Sequence, residues 1–370
     1  MSSKKDHIRV IISGGGTGGH IYPAIAIADT LKEIDDKTEI LFVGAEGKME
    51  MEKVPQAGYE IIGLGITGIQ RRLSLRNLMF PIKLLKSLSK ASQIIKEFQP
   101  DVVVGVGGYA SGPLLKSAER KKVPALIQEQ NGYAGLTNKW LAGKADKICV
   151  AYNGMEKYFP GEKIIFTGNP VRKDISKLED VKVEAYQHFG LDEGKKTLLV
   201  VGGSLGALTL NESVIGGIDK FLEEGFQIIW QTGKYYYESM KSRLGSEKRE
   251  GVWSNAFINR MDYAYACADV VISRAGALSI SEICLVGKPV ILVPSPNVAE
   301  DHQTKNAMAL VNDDAAILVK DAEARDKLID EAILLLGNRE KQEELAKNIK
   351  LLGKPEAAKR IAEEVRKLAG

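Results

Sequence analysis

Short apolar runs recur through this chain at the spacing of strands separated by helices, and that rhythm is its strongest structural constraint. Ile8–Ile12, Glu39–Val43, Tyr59–Ile62, Asp101–Val104, Ala125–Ile127 and Lys147–Val150 mark the first half, and Thr197–Val201, Gln227–Trp230, Asp269–Ile272, Pro289–Val293 and Ala316–Val319 the second. Such alternation predicts parallel βαβ units. A chain of 370 residues also exceeds what one core usually organises. The expected fold is α/β: two Rossmann-like, doubly wound parallel-sheet domains over residues 1–168 and 169–340. Helices over 341–370 then pack outside one domain or bridge back to the first. The boundary falls near residue 168, where Ile164–Arg172 joins a strand to a Gly-Asn-Pro turn and the charged segment after it, Lys173 to Glu184, has no clear strand.

Two of the strands run straight into glycine-rich turns, Ser13–His20 and Gly202–Ala207. A strand–loop–helix junction of this kind bares backbone N–H groups at a helix N-terminus, where the dipole favours negative charge. Each turn is a candidate phosphate cradle. The first literally contains G-x-G-x-x-G over Gly14–Gly19, with Glu46 after the second strand as a possible ribose partner, which is the dinucleotide fingerprint. Small residues that merely let helix and strand approach would give the same pattern. His20 is not part of that fingerprint. An imidazole at the loop exit is suited to general base chemistry, or to hydrogen bonding with the loop backbone.

Further polar turns follow other strands at the carboxyl edge, where ligands of such sheets bind. Gly105–Pro113 is a third glycine-rich turn, with Tyr109 as a candidate substrate contact, and Glu129-Gln130-Asn131 places a carboxylate and two amides after the next strand. In the second half, Ser273–Glu282 opens a helix and carries Glu282 one turn inside, where it could accept from ribose hydroxyls or simply answer the helix dipole. Pro294–Gln303 leaves its strand as a polar, proline-bearing loop.

Composition narrows the classes. A net charge of +3 over this length gives no reason to expect nucleic-acid binding. Cys149, Cys267 and Cys284 are widely spaced in apolar contexts and read as buried, reduced thiols of a cytosolic protein. The apolar stretch before the first glycines is too short for a signal peptide, and no run approaches a spanning helix.

Taken in order, Gly14–His20, Gly105–Pro113, Glu129–Asn131, Gly168–Arg172, Gly202–Ala207, Arg274–Glu282 and Asp301–Gln303 resemble the motifs of the MurG family over about residues 8 to 310. That resemblance implies a GT-B glycosyltransferase, two Rossmann-like domains separated by a deep cleft. Its reaction moves N-acetylglucosamine from UDP-N-acetylglucosamine to the C4 hydroxyl of the N-acetylmuramyl unit of lipid I, with inversion, giving lipid II for peptidoglycan synthesis. Carried over motif by motif, it implies Ser204 and Arg172 on the diphosphate, the backbone at Ile258 on uracil, and Ala277, Leu278, Ser279, Ile280 and Ser281 along the nucleotide. Glu282 would hold the ribose and Gln303 the sugar, with His302 where some relatives carry a second glutamine. From the first domain, Thr17, Gly18 and Gly19 would meet the phosphates or donor sugar and Asn131 the sugar. His20 is the expected base and Glu129 the second candidate. The sequence contains no Asp-x-Asp pair to hold a metal against a diphosphate, so no cofactor is expected.

A lipid acceptor requires docking on the cytoplasmic face of the cell membrane. Arg71 to Lys96 carries Arg71, Arg72, Arg76, Lys83, Lys86, Lys90 and Lys96 without an acidic residue, interleaved with leucines, Met79, Phe80 and Ile82, as suits an anionic lipid surface. From Ile82 onward a helix packed on the sheet explains the pattern equally well. Competing readings are another GT-B UDP-sugar transferase or a UDP-sugar epimerase, an NAD-dependent oxidoreductase, and a non-catalytic two-domain binding protein.

Overall fold

The computed structural model describes residues 7–67, 79–172, 175, 178–245, 249–298 and 301–370. The chain divides into two compact units, residues 1–172 with 354–370, and residues 173–353. Arg71, Arg72 and Arg76 of the basic stretch lie outside the described residues.

In the first unit seven strands form one sheet: β1 Arg9–Ser13, β2 Glu39–Ala45, β3 Glu60–Leu64, β4 Val102–Gly105, β5 Ala125–Glu129, β6 Lys147–Val150 and β7 Ile164–Phe166. Their order is β3-β2-β1-β4-β5-β6-β7, with every pairing parallel. Side chains alternate between the two faces, as the pleat demands. Ile11, Val43, Val103 and Ile127 enter one buried cluster, while Val10, Ile12, Val104 and Leu126 enter another. Burial on both faces is why these strands read as continuous apolar runs. The second cluster is completed from the far end of the sequence, because Ile361, Ala362 and Val365 of the helix Ala357–Ala369 are fully buried in it. Gly168 lets that return pass. Its φ is +87°, and a Cβ there would lie 2.7 Å from the Cβ of Lys354.

The second unit repeats the plan with β8 Thr197–Val201, β9 Gln227–Gln231, β10 Val252–Asn255, β11 Val270–Ser273, β12 Val290–Leu292 and β13 Ile317–Leu318. The order is β10-β9-β8-β11-β12-β13, again parallel. Buried Trp230 donates its indole N–H to Asn211 Oδ1 (2.9 Å), and Asn211 Nδ2 donates to Thr232 O (2.9 Å). The helix Leu208–Glu223 is thereby fixed against the end of β9. Both sheets are the expected doubly wound α/β type. In each, chain order reverses at one place, between β1 and β4 and between β8 and β11, and the loops leaving those strands flank the ligand-binding crevice of such a sheet. Those loops are the glycine-rich turns and their partners. Among the described residues no helix is long and apolar enough to cross a membrane.

Candidate active site

In the first unit four loops at the carboxyl edge are stitched together by buried polar bonds. Ser111 donates its hydroxyl to Gly107 O (2.8 Å) and Ser13 O (3.0 Å), joining the turn after β4 to the turn after β1. Gln130 Nε2 donates to Val106 O (2.7 Å), and Asn169 Nδ2 donates to Gln130 O (3.1 Å), adding the loop after β5 and the Gly-Asn-Pro turn. Gly107 and Gly108 are required by contact. At φ values of +98° and +93°, their Cβ atoms would meet the His20 ring at 2.7 Å and Gly15 O at 2.5 Å.

His20 lies in the first turns of the helix Gly18–Ile34, half-buried, with Nδ1 3.0 Å from Gly15 O and 3.3 Å from Thr17 Oγ1. A carbonyl oxygen only accepts, so Nδ1 carries the proton. Nε2 of the neutral ring then holds the lone pair. Desolvation pulls the His20 pKa below its ordinary value; the charges of Glu129 and Glu50 and the bond to Gly15 oppose that shift. The ring is therefore neutral near pH 7 and equipped to accept a proton at Nε2.

Glu129 is buried and saturated. Asn131 N (3.1 Å) and Nδ2 (3.4 Å) donate to Oε1, while Gly135 N (2.9 Å) and Asn138 Nδ2 (2.9 Å) donate to Oε2. A carboxylate with both oxygens so engaged shapes its loop and faces His20 as a fixed charge. Asn131 is held by the same carboxylate, Tyr109 is 48% exposed, and the Arg172 guanidinium lies 4.6 Å over the ring of Tyr22, two residues beyond His20.

In the second unit the loop after β8 is shaped by glycines. Gly206 (φ +87°) and Gly233 (φ +82°) face each other so closely that a Cβ on Gly206 would meet Thr232 O at 2.2 Å. Bonds to this loop go to its carbonyls: Gly206 N (3.1 Å) and Gln231 Nε2 (3.0 Å) donate to Gly203 O, and Lys234 N donates to Ser204 O (3.3 Å). Among the described residues no hydrogen bond uses the amides of Gly203, Ser204 or Leu205. Those amides, with the start of the helix Leu208–Glu223, make up a candidate anion cradle.

Gln231 also accepts from Ile258 N (2.9 Å), so one buried amide sets both the cradle and the turn at Ile258. The helix Ala277–Val286 begins after Gly276 with Ala277, Ile280 and Glu282 buried and Leu278, Ser279 and Ser281 partly exposed. Ser281 Oγ donates to Ala277 O (2.9 Å), and Tyr265 OH donates to Glu282 Oε2 (3.3 Å). Gln303 uses its carbonyl to accept from Ser295 N (2.8 Å), orienting its NH₂ donor end. Glu46, the ribose candidate of the dinucleotide reading, pairs instead with Lys90 at 3.2 Å. Among the described residues no cluster of His, Cys, Asp and Glu is arranged to hold a metal ion.

Sequence reasoning missed Glu50 and Gln231. Glu50, fully buried, accepts from Gly16 N (2.9 Å) and Ala45 N (3.0 Å) and fills the space where a Cβ on Gly15 would stand. A carboxylate of the protein itself thus occupies part of the first candidate phosphate cradle. Each residue lies at or just beyond the end of the strand beside the loop it contacts, a signal that only the sheet order reveals.

Comparison with known proteins agrees over nearly the whole chain. Residues 10–150 match the glycosyltransferase family 28 N-terminal domain and residues 197–361 the family 28 C-terminal domain. A UDP-N-acetylglucosamine–N-acetylmuramyl-(pentapeptide) pyrophosphoryl-undecaprenol N-acetylglucosamine transferase from Parabacteroides distasonis is 57% identical, covering 97% of this chain and 98% of the relative. Its counterpart from Cytophaga hutchinsonii is 55% identical, with 96% of each covered. Among solved structures, Acinetobacter baumannii MurG superposes with a TM-score of 0.72 at 27% identity over 98% of this chain and 99% of that one. A UDP-GlcNAc 2-epimerase from Neisseria meningitidis shares the fold alone, at 16% identity, a TM-score of 0.67, and coverage of 98% and 100%. The chain belongs to the MurG family of glycosyltransferases, built from the family 28 N-terminal and C-terminal domains.

Proposed function

We propose that this chain transfers N-acetylglucosamine from UDP-N-acetylglucosamine to the C4 hydroxyl of the N-acetylmuramyl unit of lipid I, with inversion, forming lipid II. The reaction named for relatives at 57% and 55% identity supports it, and the observation that carries the mechanism is the tautomer of His20. Nε2 of His20 takes the proton from the acceptor hydroxyl as its oxygen forms the new bond to the anomeric carbon. UDP departs with the electron pair of the broken bond. The amides of Gly203, Ser204 and Leu205 and the helix starting at Leu208 receive the diphosphate charge, with Arg172 as a charge-assisted partner. Gln231 supports uracil reading by fixing the turn at Ile258, Glu282 accepts from the ribose, and Gln303 donates to the sugar. Ala277 to Ser281 line the nucleotide; Thr17, Gly18, Gly19, Tyr109 and Asn131 contact sugar or acceptor. The imidazolium left behind is stabilised by Glu129 and Glu50.

The reading includes peripheral docking on an anionic membrane. In the helix Phe80–Phe98 the buried residues are Ser87, Ala91, Ile94 and Ile95, whereas Ile82 and Leu85 are 48% and 68% exposed beside exposed Lys86. Leu84 packs against the core, but Ile82 and Leu85 do not, as suits a basic, apolar membrane face. Replacing Arg71, Arg72 and Arg76 with Glu is expected to abolish flotation with anionic liposomes. Undiminished flotation would place the docking face elsewhere. The transfer reaction itself is tested with radiolabelled UDP-N-acetylglucosamine and a lipid I analogue. Label in lipid-linked disaccharide is the expected product; formation of the 2-epimer without transfer would overturn the reading.

A further inference from the structure

The acceptor of His20 Nδ1 and the donor to Glu50 are the two ends of one peptide group. Gly15 O accepts from Nδ1 at 3.0 Å, and Gly16 N donates to Glu50 Oε2 at 2.9 Å, so the C=O and N–H concerned belong to the Gly15–Gly16 amide. We infer that Glu50 is a positioning residue for the transfer reaction, acting on His20 through this peptide as the buried carboxylate of a carboxylate–peptide–imidazole relay. The inference rests on the proposed role of His20 as base.

Four observations converge on it. Glu50 is fully buried, an unusual place for a carboxylate unless its charge is used and its oxygens are satisfied. Its second oxygen is fixed by Ala45 N at 3.0 Å, at the end of β2, so the first cannot drift from Gly16. Gly15 is obligatory, because any Cβ would stand 2.1 Å from Glu50 Oε1. The peptide lies between two hydrogen bonds aligned in one sense, carboxylate to N–H and C=O to imidazole N–H, and each polarises the other.

When Nε2 takes the acceptor's proton, positive charge appears on the ring. The Gly15 carbonyl, made more negative by the carboxylate behind it, then binds Nδ1–H more strongly. The two carboxylates bearing on His20 are Glu50 and Glu129. Only Glu50 is joined to the ring by this bond path. It also holds the tautomer, since a rotated loop would free Nδ1 and let the proton move to Nε2.

Removing the charge with Glu50→Gln should move the His20 titration to lower pH and reduce kcat about tenfold with little change in donor KM, an effect of the size seen for outer partners of functional histidines. Glu50→Asp, which keeps the charge, should restore part of the loss. The chain has four histidines, so the His20 ring signals can be resolved by NMR. The unsubstituted protein supplies a reading that needs no variant: the Gly16 amide proton should shift with the same midpoint as the His20 ring. A Gly16 amide indifferent to that titration overturns the relay. So does a Glu50→Gln penalty that is undiminished in a His20→Ala background, because a residue acting through His20 has nothing left to act on. If His20→Ala alone leaves kcat unchanged, the base assignment fails instead, whatever the Gly16 signal does.

Discussion

The turn after β1 and the turn after β8 hold the same place in their sheets, yet the protein wires them with opposite polarity. In each, the chain just beyond or at the end of the adjacent strand sends one buried side chain to the loop: Glu50 beyond β2, Gln231 at the end of β9. Glu50 takes an N–H of the first loop at 2.9 Å, whereas Gln231 gives its amide to a carbonyl of the second at 3.0 Å. A loop whose N–H is already bound to an internal carboxylate is a poor host for a second anion and repels one through that charge. One whose carbonyls are tied back turns its amides toward an incoming anion. On the proposed function, the same fold position serves in one unit as the mount for a base and in the other as the seat for a diphosphate.

His20→Ala removes the function assigned to the first loop and should give the largest effect. A fall in kcat of about 10² to 10⁴ is expected, with donor KM changed little. Weaker donor binding at unchanged kcat would make the two loops alike after all. Next comes Gly206→Ala. The new Cβ has only 2.2 Å to Thr232 O and sits at φ +87°, so the contact with Gly233 must open and the amide cradle deform. UDP affinity measured by calorimetry should drop by at least about tenfold, a loss of roughly 1.4 kcal/mol. His20 should titrate normally in this variant, since its wiring is in the other unit.

The strand–helix rhythm told most of the fold in advance, because strands buried on both faces announce themselves as apolar runs. His20 was legible as the odd residue in an otherwise ordinary glycine loop; the bond to the loop backbone is present at Gly15 O, and it leaves the lone pair on Nε2, as the proposed base role requires. Glu50 and Gln231 were illegible for one reason. Gly16 and Glu50 are 34 residues apart, Gly203 and Gln231 are 28 apart, and nothing local says that β2 lies beside β1 or β9 beside β8. Ile82 and Leu85 were ambiguous because an amphipathic helix against a sheet and one against lipid have the same period; their exposure shows that the sheet does not bury them.

A smaller effect comes from pH. Burial holds the His20 pKa below the ordinary 6.5, so kcat should be flat through neutrality and fall only as pH drops through that lowered value and the ring protonates. A kcat midpoint above 6.5 would mean that the carboxylates outweigh desolvation. Binding of UDP alone, assigned to the second loop, should not follow this midpoint if the division of labour between the loops is real.

The smallest change should come from the ribose. Glu282 is buried midway along its helix, with a 3.3 Å bond from Tyr265 OH on Oε2. Glu282→Gln keeps the shape, removes the charge, and should weaken UDP about tenfold, as loss of a charged hydrogen bond of roughly 1.5 kcal/mol requires. The discriminating ligand is 2′,3′-dideoxy-UDP, which cannot donate to the carboxylate. Its affinity should be nearly the same for both proteins. Equal losses for UDP and the dideoxy analogue would mean that Glu282 acts only through Tyr265 and the helix, leaving the amide cradle and Gln231 to account for nucleotide binding in the second unit.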